Sequence, residues 1–478
     1  MDCIDRNLTI MTDYYQLTMM NSYYKRGKHE NLAYFDVFFR KTSTYVSYSI
    51  FAGLEQVVDY LHNLHFTLED IAYLRSLNVF DDGFLEYLGS MKFTGDVWAV
   101  PEGTVVFPNE PLIRINAPLI QAQLIETAIL NLMNFQTLIA SKASYIVEVC
   151  QGEGVMEFGL RRAQGPDAGF YGARAAYIAG CAGTSNVLAG EKLGIPVMGT
   201  HSHSYVMSFP DELSAFRSYA DEYPDDCLLL VDTYNTLKSG VPNAIKTFAY
   251  LRSRGYEPKG IRIDSGDLAY LSKKAREMLD AAGFETVSIV ASGDLDEETI
   301  LDLKMQGAKI NSWGVGTRLI TGWGTPALGG VYKMSALWEK GKLEAKMKIS
   351  DNITKTTNPG VKKVYRLYDN KTDKAIADLI ALEQEELDCE KPLQLYDPIE
   401  TWKHMTVEDF YCKELLVPVI RQGELVYLMP GLEEIRDYRQ RDLSTFWDEY
   451  KRLNKPQKYK VDLSDSLYDL RKHFFEEV

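Results

Sequence analysis

No stretch of this 478-residue chain approaches the ~20 consecutive apolar residues that a membrane-spanning helix needs. Cysteine is sparse. Cys3, Cys150, Cys181, Cys227, Cys389 and Cys412 form neither a C-x-x-C pair nor a dense framework, which favours reduced thiols in a cytosol over a disulfide scaffold. Residues 1–5, M-D-C-I-D, lack the basic and apolar parts of a secretory signal, so the expected location is the cytoplasm. Basic residues are the minority, 52 Lys and Arg against 67 Asp and Glu, for a net charge of −15. Such a surface repels nucleic acid and anionic membranes, and the expected partners are small molecules. An anionic substrate would need a local basic pocket against that background. Histidine is scarce too: of His29, His62, His65, His201, His203, His404 and His473, only His201 and His203 fall in the central third of the chain.

What is present is ordinary for a globular protein, 46% hydrophobic and 25% charged, but the length is too great for one core and implies two or three domains. The pattern over 12–24 predicts a helix with Thr12 as its N-cap and Gly27 as its stop. Residues 33–39 alternate as a strand ending in Arg40-Lys41; 49–64 and 68–77 read as helices, 91–118 as a Gly- and Pro-punctuated β unit, and 119–149 as one long helical tract. From Val155 a rhythm begins. Apolar strands are expected at 155–158, 195–198, 228–231, 260–263, 287–290 and 309–313, separated by helical tracts such as 174–194, 241–254 and 268–282. Strand–helix alternation at this spacing implies parallel strands with right-handed crossovers. Polar residues gather after each strand, as at the C-terminal rim of a (β/α) barrel. The fold class read from this is α/β: an N-terminal α/β domain over 1–148, an irregular (β/α) barrel over 149–334, strands within 335–370, and an α-rich C-terminal region over 371–478.

The run 195–204, I-P-V-M-G-T-H-S-H-S, is the pivot of that pattern. His201 and His203 have metal-ligand spacing on a strand, as in metal-dependent hydrolases, but no later strand supplies another histidine. The remaining readings are a packed or solvated pair, or a histidine acting as nucleophile or acid/base. Arg161-Arg162, Arg262 and Arg318 fall at strand ends and suit anion clamps. Asp232, Asp264, Asp267 and Asp294 share the rim, where they either cap helices or sit near Mg²⁺ bound through substrate phosphates. Ser292-Gly293-Asp294 and Gly314-Val315-Gly316-Thr317 are turns whose backbone N–H groups suit a phosphate.

Read together, T-D-Y-Y-Q-L-T-M (12–19), F-D-V-F-F-R (35–40), E-F-G-L-R-R-A-Q-G (157–165), G-T-S-N-V-L-A-G (183–190), G-T-H-S-H-S (199–204), L-V-D-T-Y (230–234), I-R-I-D-S-G-D-L (261–268), G-V-G-T (314–317) and L-G-G-V-Y-K (328–333) resemble the nicotinate phosphoribosyltransferases. The resemblance runs over most of the chain. It implies a type II phosphoribosyltransferase fold, with a split N-terminal α/β domain over 1–148 completed by strands within 335–370, and the joining of nicotinate to 5-phosphoribosyl pyrophosphate, coupled to ATP hydrolysis and supported by Mg²⁺. It implies that ATP phosphorylates His203, that Asp264 and Arg161 are further catalytic positions, and that Tyr15, Phe158, Thr200, Arg262 and Ser185 meet nicotinate. Gly293, Asp294, Gly314, Gly316, Thr317 and Arg40 would meet the phosphoribosyl group, and Asp232 the Mg²⁺-pyrophosphate region. Family members commonly carry an apolar residue where this chain has His201, so only His203 inherits the phosphorylated role. The resemblance further implies a homodimer in which Tyr15 and Arg40 reach the neighbouring site. Nicotinamide-using relatives carry an acid at the position of Ser185. The alternatives on the same fold are quinolinate or nicotinamide phosphoribosyltransferase, and from another class a metal-dependent barrel hydrolase built on His201 and His203.

Overall fold

The structure is a computed structural model that describes residues 7–40, 47–400 and 402–476. The 1–5 stretch with Cys3, and Lys41, lie outside the described residues. The chain forms two compact units, Met1–Ser141 with Ala327–Val478, and Lys142–Pro326. Among the described residues no helix is long and apolar enough to cross a membrane.

The first unit is built on an antiparallel sheet in which Leu32–Phe39 lies between Gly330–Glu339 and Ile113–Pro118. The second half of Leu32–Phe39 is buried on both faces, which is why V-F-F follows Asp36 without a polar break. Tyr14–Lys25 begins one residue later than its sequence suggests: Asp13 is the N-cap, while the Thr12 hydroxyl donates to the Leu124 carbonyl at 3.1 Å. The expected single tract after residue 118 is two helices, Leu119–Leu124 and Glu126–Cys150.

The C-terminal region differs from its expectation. Residues 371–478 are not α-rich, for a six-stranded sheet runs in the order His404–Val407, Leu393–Tyr396, Lys460–Leu463, Ala375–Leu382, Lys362–Asp369, Phe410–Glu414. Charges inside the strands hide it from a hydropathy reading. Arg366 and Asp378 are wholly buried and paired, with Nε and Nη2 of the guanidinium donating to the two carboxylate oxygens at 2.9 and 2.8 Å. The same guanidinium donates to Asp442 at 3.1 Å and to the Val105 carbonyl at 2.6 Å, while the Val105 N–H donates to Asp442 at 2.8 Å. Tyr459 donates to Asp378 at 3.0 Å. Two aspartates and a backbone carbonyl thus satisfy one buried cation, Tyr459 holds one of those aspartates, and segments far apart in sequence are fixed to each other through the cluster.

The second unit is an α/β layer. Its parallel sheet runs Gly183–Thr184, Gly154–Glu157, Ser312–Val315, Ser288–Ser292, Gly260–Ile263, Leu228–Leu230. Helices Pro166–Ile178, Val241–Ser253 and Leu268–Ala281 are among the crossovers between these strands. Two expectations change here. The tract 174–194 is interrupted by the short strand Gly183–Thr184, and 195–198 contributes only a bridge from Val197 to Thr184. The hydrogen-bonded ladder has two ends and is not closed. Every strand of this sheet points the same way, so residues that follow the strands collect along one edge, and a cavity lies there.

Removing one partner of a buried ion pair strands the other charge. Asp378→Ala should therefore destabilise the protein by about 3–5 kcal/mol in urea unfolding, and Arg366→Met with Asp378→Leu and Asp442→Asn, which leaves no buried charge behind and keeps an acceptor for the Val105 N–H, should recover much of that loss. Equal damage from the single and triple variants would contradict this reading.

Candidate active site

An open cavity of about 620 Å³ lies along that edge of the second unit. It is lined by Phe158, Arg161, Ser185, Thr200, Arg262, Asp264, Gly293, Asp294, Gly314, Gly316 and Thr317 among the residues expected from sequence. Leu160, Arg162, Gly199, His201, Ser202 and Ser292 complete the lining. Tyr15 on Tyr14–Lys25 is about half exposed, and Arg40 donates to the Lys355 carbonyl at 3.2 Å; both belong to the first unit.

Arg262 sits in the last turn of the strand Gly260–Ile263. Its Nη1 donates to the Thr200 hydroxyl at 2.6 Å and its Nη2 to the His201 carbonyl at 3.4 Å. Its Nε is buried with no hydrogen-bond partner. Burial pushes its pKa down, against the opposing pull of Asp264 and Asp232. A partly desolvated guanidinium with an unused donor is a site prepared for an anion, because an unmet buried charge is costly until an acceptor arrives.

His203 begins the short helix His203–Met207, so the strand alternation imagined for H-x-H does not extend to it. Its Nδ1 lies 3.1 Å from the Thr233 hydroxyl, and its Nε2 lies 4.0 Å from both Asp232 Oδ1 and Asp264 Oδ2. Asp232 Oδ2 accepts from the Asp264 N–H at 3.0 Å and from the Ser265 hydroxyl at 2.6 Å, leaving Oδ1 buried and unpartnered. Asp264 is held in turn by the Ser292 hydroxyl. Among the described residues no group of three or more His, Cys, Asp or Glu side chains is placed to hold a metal by itself. An unpaired carboxylate oxygen beside a second carboxylate does suit a hard cation that keeps its other ligands from water or phosphate, as Mg²⁺ does.

His201 is separate from this group. It is buried, its ring packs against Tyr205, Phe216 and Tyr219, and the Leu230 N–H donates to its Nε2 at 3.3 Å. Of the three sequence readings of this histidine, a packed residue is the one its surroundings match.

Two glycines are required by close approach. A Cβ on Gly293, which has φ +95°, would fall 2.3 Å from the Asp264 carbonyl oxygen, and one on Gly314 would fall 2.6 Å from the Phe158 ring. Asp294 follows at φ +44°, a left-handed turn that places it at the cavity. Behind the lining, Glu157 is buried at the end of Gly154–Glu157; it accepts from Thr184 at 2.6 Å and from the Gly159 N–H, and burial pushes its pKa up.

Two rim residues do not serve the cavity. Arg318 is paired with Asp296 at 2.6 Å, and Asp267 caps Leu268–Ala281 through the Tyr270 N–H at 2.9 Å. Thr233, Ser265 and Glu157 were missed in the sequence. Thr233 and Ser265 each directly follow an aspartate at a strand end, and Glu157 is a lone charge in an apolar strand, which are the signals that mark them.

Comparison with known proteins followed from this geometry. The chain matches family models described as the nicotinate phosphoribosyltransferase N-terminal domain over residues 10–134, the nicotinate phosphoribosyltransferase family over 154–379, and its C-terminal domain over 361–471. It is 47% identical over 474 residues to the nicotinate phosphoribosyltransferase of Bacillus subtilis (strain 168), covering 99% of this chain and 96% of the relative. It is 38% identical over 520 residues to that of Caenorhabditis elegans, covering 96% of this chain and 92% of the relative. The crystal structure of human nicotinic acid phosphoribosyltransferase superimposes with a TM-score of 0.84 at 30% identity, covering 98% of this chain and 100% of that one.

Burial lowers the His201 pKa to about 4 from the usual 6.5. Between those values the unfolded chain holds the proton and the folded chain does not, so stability falls as pH drops from the upper value to the lower. Chemical unfolding between about pH 7 and about pH 4 should reveal a loss of up to about 3 kcal/mol from this residue. That portion of the slope should vanish in His201→Leu; an unchanged slope in the variant would contradict it.

Proposed function

The chain belongs to the nicotinate phosphoribosyltransferase family, and on that premise we propose that the cavity of the second unit transfers a phosphoribosyl group to nicotinate with coupling to ATP. The family assignment makes the enzyme a nicotinate phosphoribosyltransferase of pyridine nucleotide (NAD) biosynthesis. The observation that carries the finer reading is Arg262: a half-buried guanidinium with a buried, unpartnered Nε, held by Thr200, suits the nicotinate carboxylate. Ser185 on the same wall offers a hydroxyl, whereas an acid there would repel that carboxylate.

The chemistry is a displacement at the ribose anomeric carbon through an oxocarbenium-like state. The pyridine nitrogen must be held in line, and the departing pyrophosphate must be neutralised. Phe158 supplies a ring for stacking, and Arg161 supplies positive charge on the same cavity. The turn at Gly293-Asp294 and the strand end at Gly314, Gly316 and Thr317 line the same cavity and would take the ribose phosphate. Asp232 and Asp264 would hold Mg²⁺, which when bound neutralises pyrophosphate charge. No protein nucleophile on the ribose is needed.

His203 takes the γ-phosphoryl group of ATP. With Nδ1–H donating to Thr233, the Nε2 lone pair is the nucleophile, and it lies beside the carboxylates that position the metal. Phosphorylation adds a dianionic group among the rim charges and changes how tightly the substrates are held. Tyr15 and Arg40 complete the site of a neighbouring subunit in a homodimer; support comes from the family motifs in which they lie. The second-unit sheet is read as the irregular barrel of this fold, supported by the Val197 bridge at one end and the His201–Leu230 hydrogen bond at the other. The few, scattered cysteines support a cytoplasmic location.

The test is to mix the protein with nicotinate, 5-phosphoribosyl pyrophosphate, Mg²⁺ and ATP and to follow mononucleotide and ADP together. The wild type should form both. His203→Ala should lose ATP hydrolysis and phosphohistidine while keeping slow, ATP-independent base transfer at high substrate concentration. Full ATP-stimulated synthesis by that variant would falsify the assignment of His203.

A further inference from the structure

The C-terminal sheet brings together two cysteines that are 23 positions apart in the chain. Cys412 lies on Phe410–Glu414, opposite Leu367 of the neighbouring strand. Cys389 lies in the connection that leaves Ala375–Leu382 and leads to Leu393–Tyr396. Both side chains pack against the apolar cluster of Leu367, Leu379, Ala381 and Leu395, and both are half-buried. Their sulfurs are 3.1 Å apart, about 1 Å beyond the ~2.05 Å of a disulfide bond. The other described cysteines, Cys150, Cys181 and Cys227, are buried.

We propose that Cys389 and Cys412 form a reversible dithiol–disulfide pair that staples the connection at 383–392 to the edge strand Phe410–Glu414. The oxidant is a low-molecular-weight disulfide of the glutathione type. The Cys389 sulfur, as thiolate, attacks one sulfur of that disulfide; the oxidant's S–S bond breaks, and one small thiol leaves. Cys412 then attacks the Cys389 sulfur of the mixed disulfide, and the second small thiol leaves. The two cysteines lose two electrons and two protons, and the oxidant gains both. Burial, reinforced by the neighbouring thiol, pushes the Cys412 thiol up to about 12, as suits two thiols held this close. The second step needs no rearrangement of the fold, because the sulfurs already face each other at near-bonding distance.

The bond would enclose the hairpin of Leu393–Tyr396 and His404–Val407 in a covalent loop. Such a loop restricts the unfolded chain, so the oxidised protein should resist unfolding more than the reduced one. In a reducing cytosol the pair rests as thiols and closes when the disulfide pool rises, which is compatible with the low cysteine content of the chain.

The test uses the full chain in a graded series of reduced and oxidised glutathione, quenched with acid, alkylated and mapped by mass spectrometry. The expected product is a cross-linked peptide joining Cys389 to Cys412, lighter by two hydrogens and reversed by dithiothreitol. Its formation should be accompanied by a rise of several degrees in apparent unfolding temperature. Burial pushes the Cys150 and Cys227 thiols upward, so they serve as unreactive internal controls. Cys389→Ser and Cys412→Ser should each abolish both the cross-link and the thermal shift. The proposal is overturned if both cysteines remain alkylatable until the controls react, or if each retains a glutathione adduct instead of exchanging to the internal bond.

Discussion

A half-buried positive charge that is not fully satisfied governs the site. The Arg262 guanidinium is fixed on one side by Thr200 and the His201 carbonyl, with Asp232 and Asp264 near enough to oppose its desolvation. None of these consumes its Nε donor. The chain as a whole is acidic, so an anionic ring finds no general attraction, and on the proposed reading it depends on the local positive charge of this cavity. On the proposed reading the rest of the cavity holds such a ring still: a stacking surface, the glycine-bearing strand end and turn, and a pair of carboxylates set behind serine and backbone donors would each answer one part of the substrate.

The same logic of a satisfied buried charge operates in the first unit, to a different end. Arg366 donates to two aspartates and a backbone carbonyl, whereas the Nε of Arg262 has no hydrogen-bond partner, which suits the anion-binding role proposed for it.

Much of this was legible in the sequence, for identifiable reasons. Leu228–Leu230 is a contiguous apolar run and Gly260–Ile263 is broken only by Arg262, and polar residues follow both, so Arg262, Asp264 and Asp232 could be read as neighbours on one edge. The family motifs carried Phe158, Thr200, Ser185 and the glycines to the cavity that the structure now displays. What failed depended on pairings between distant segments. The two-residue strand Gly183–Thr184 has no hydropathy signature, and Arg318 reads as a rim cation until Asp296 is found beside it. The C-terminal sheet was hidden because its strands contain Arg366 and Asp378, charges that only the folded pairing makes acceptable in a core. Thr233 and Ser265 matter for what they hydrogen-bond, and no single segment reveals that.

The central claim is that Arg262 selects the base by its carboxylate. It is tested most directly by measuring kcat/KM for nicotinate and for nicotinamide with the wild type and with Arg262→Ala. Loss of a buried charge partner should lower the nicotinate value by about a hundredfold or more while leaving the nicotinamide value little changed, so that the expected preference collapses. A variant that loses both activities in equal proportion, with the nicotinate preference intact, would contradict the account.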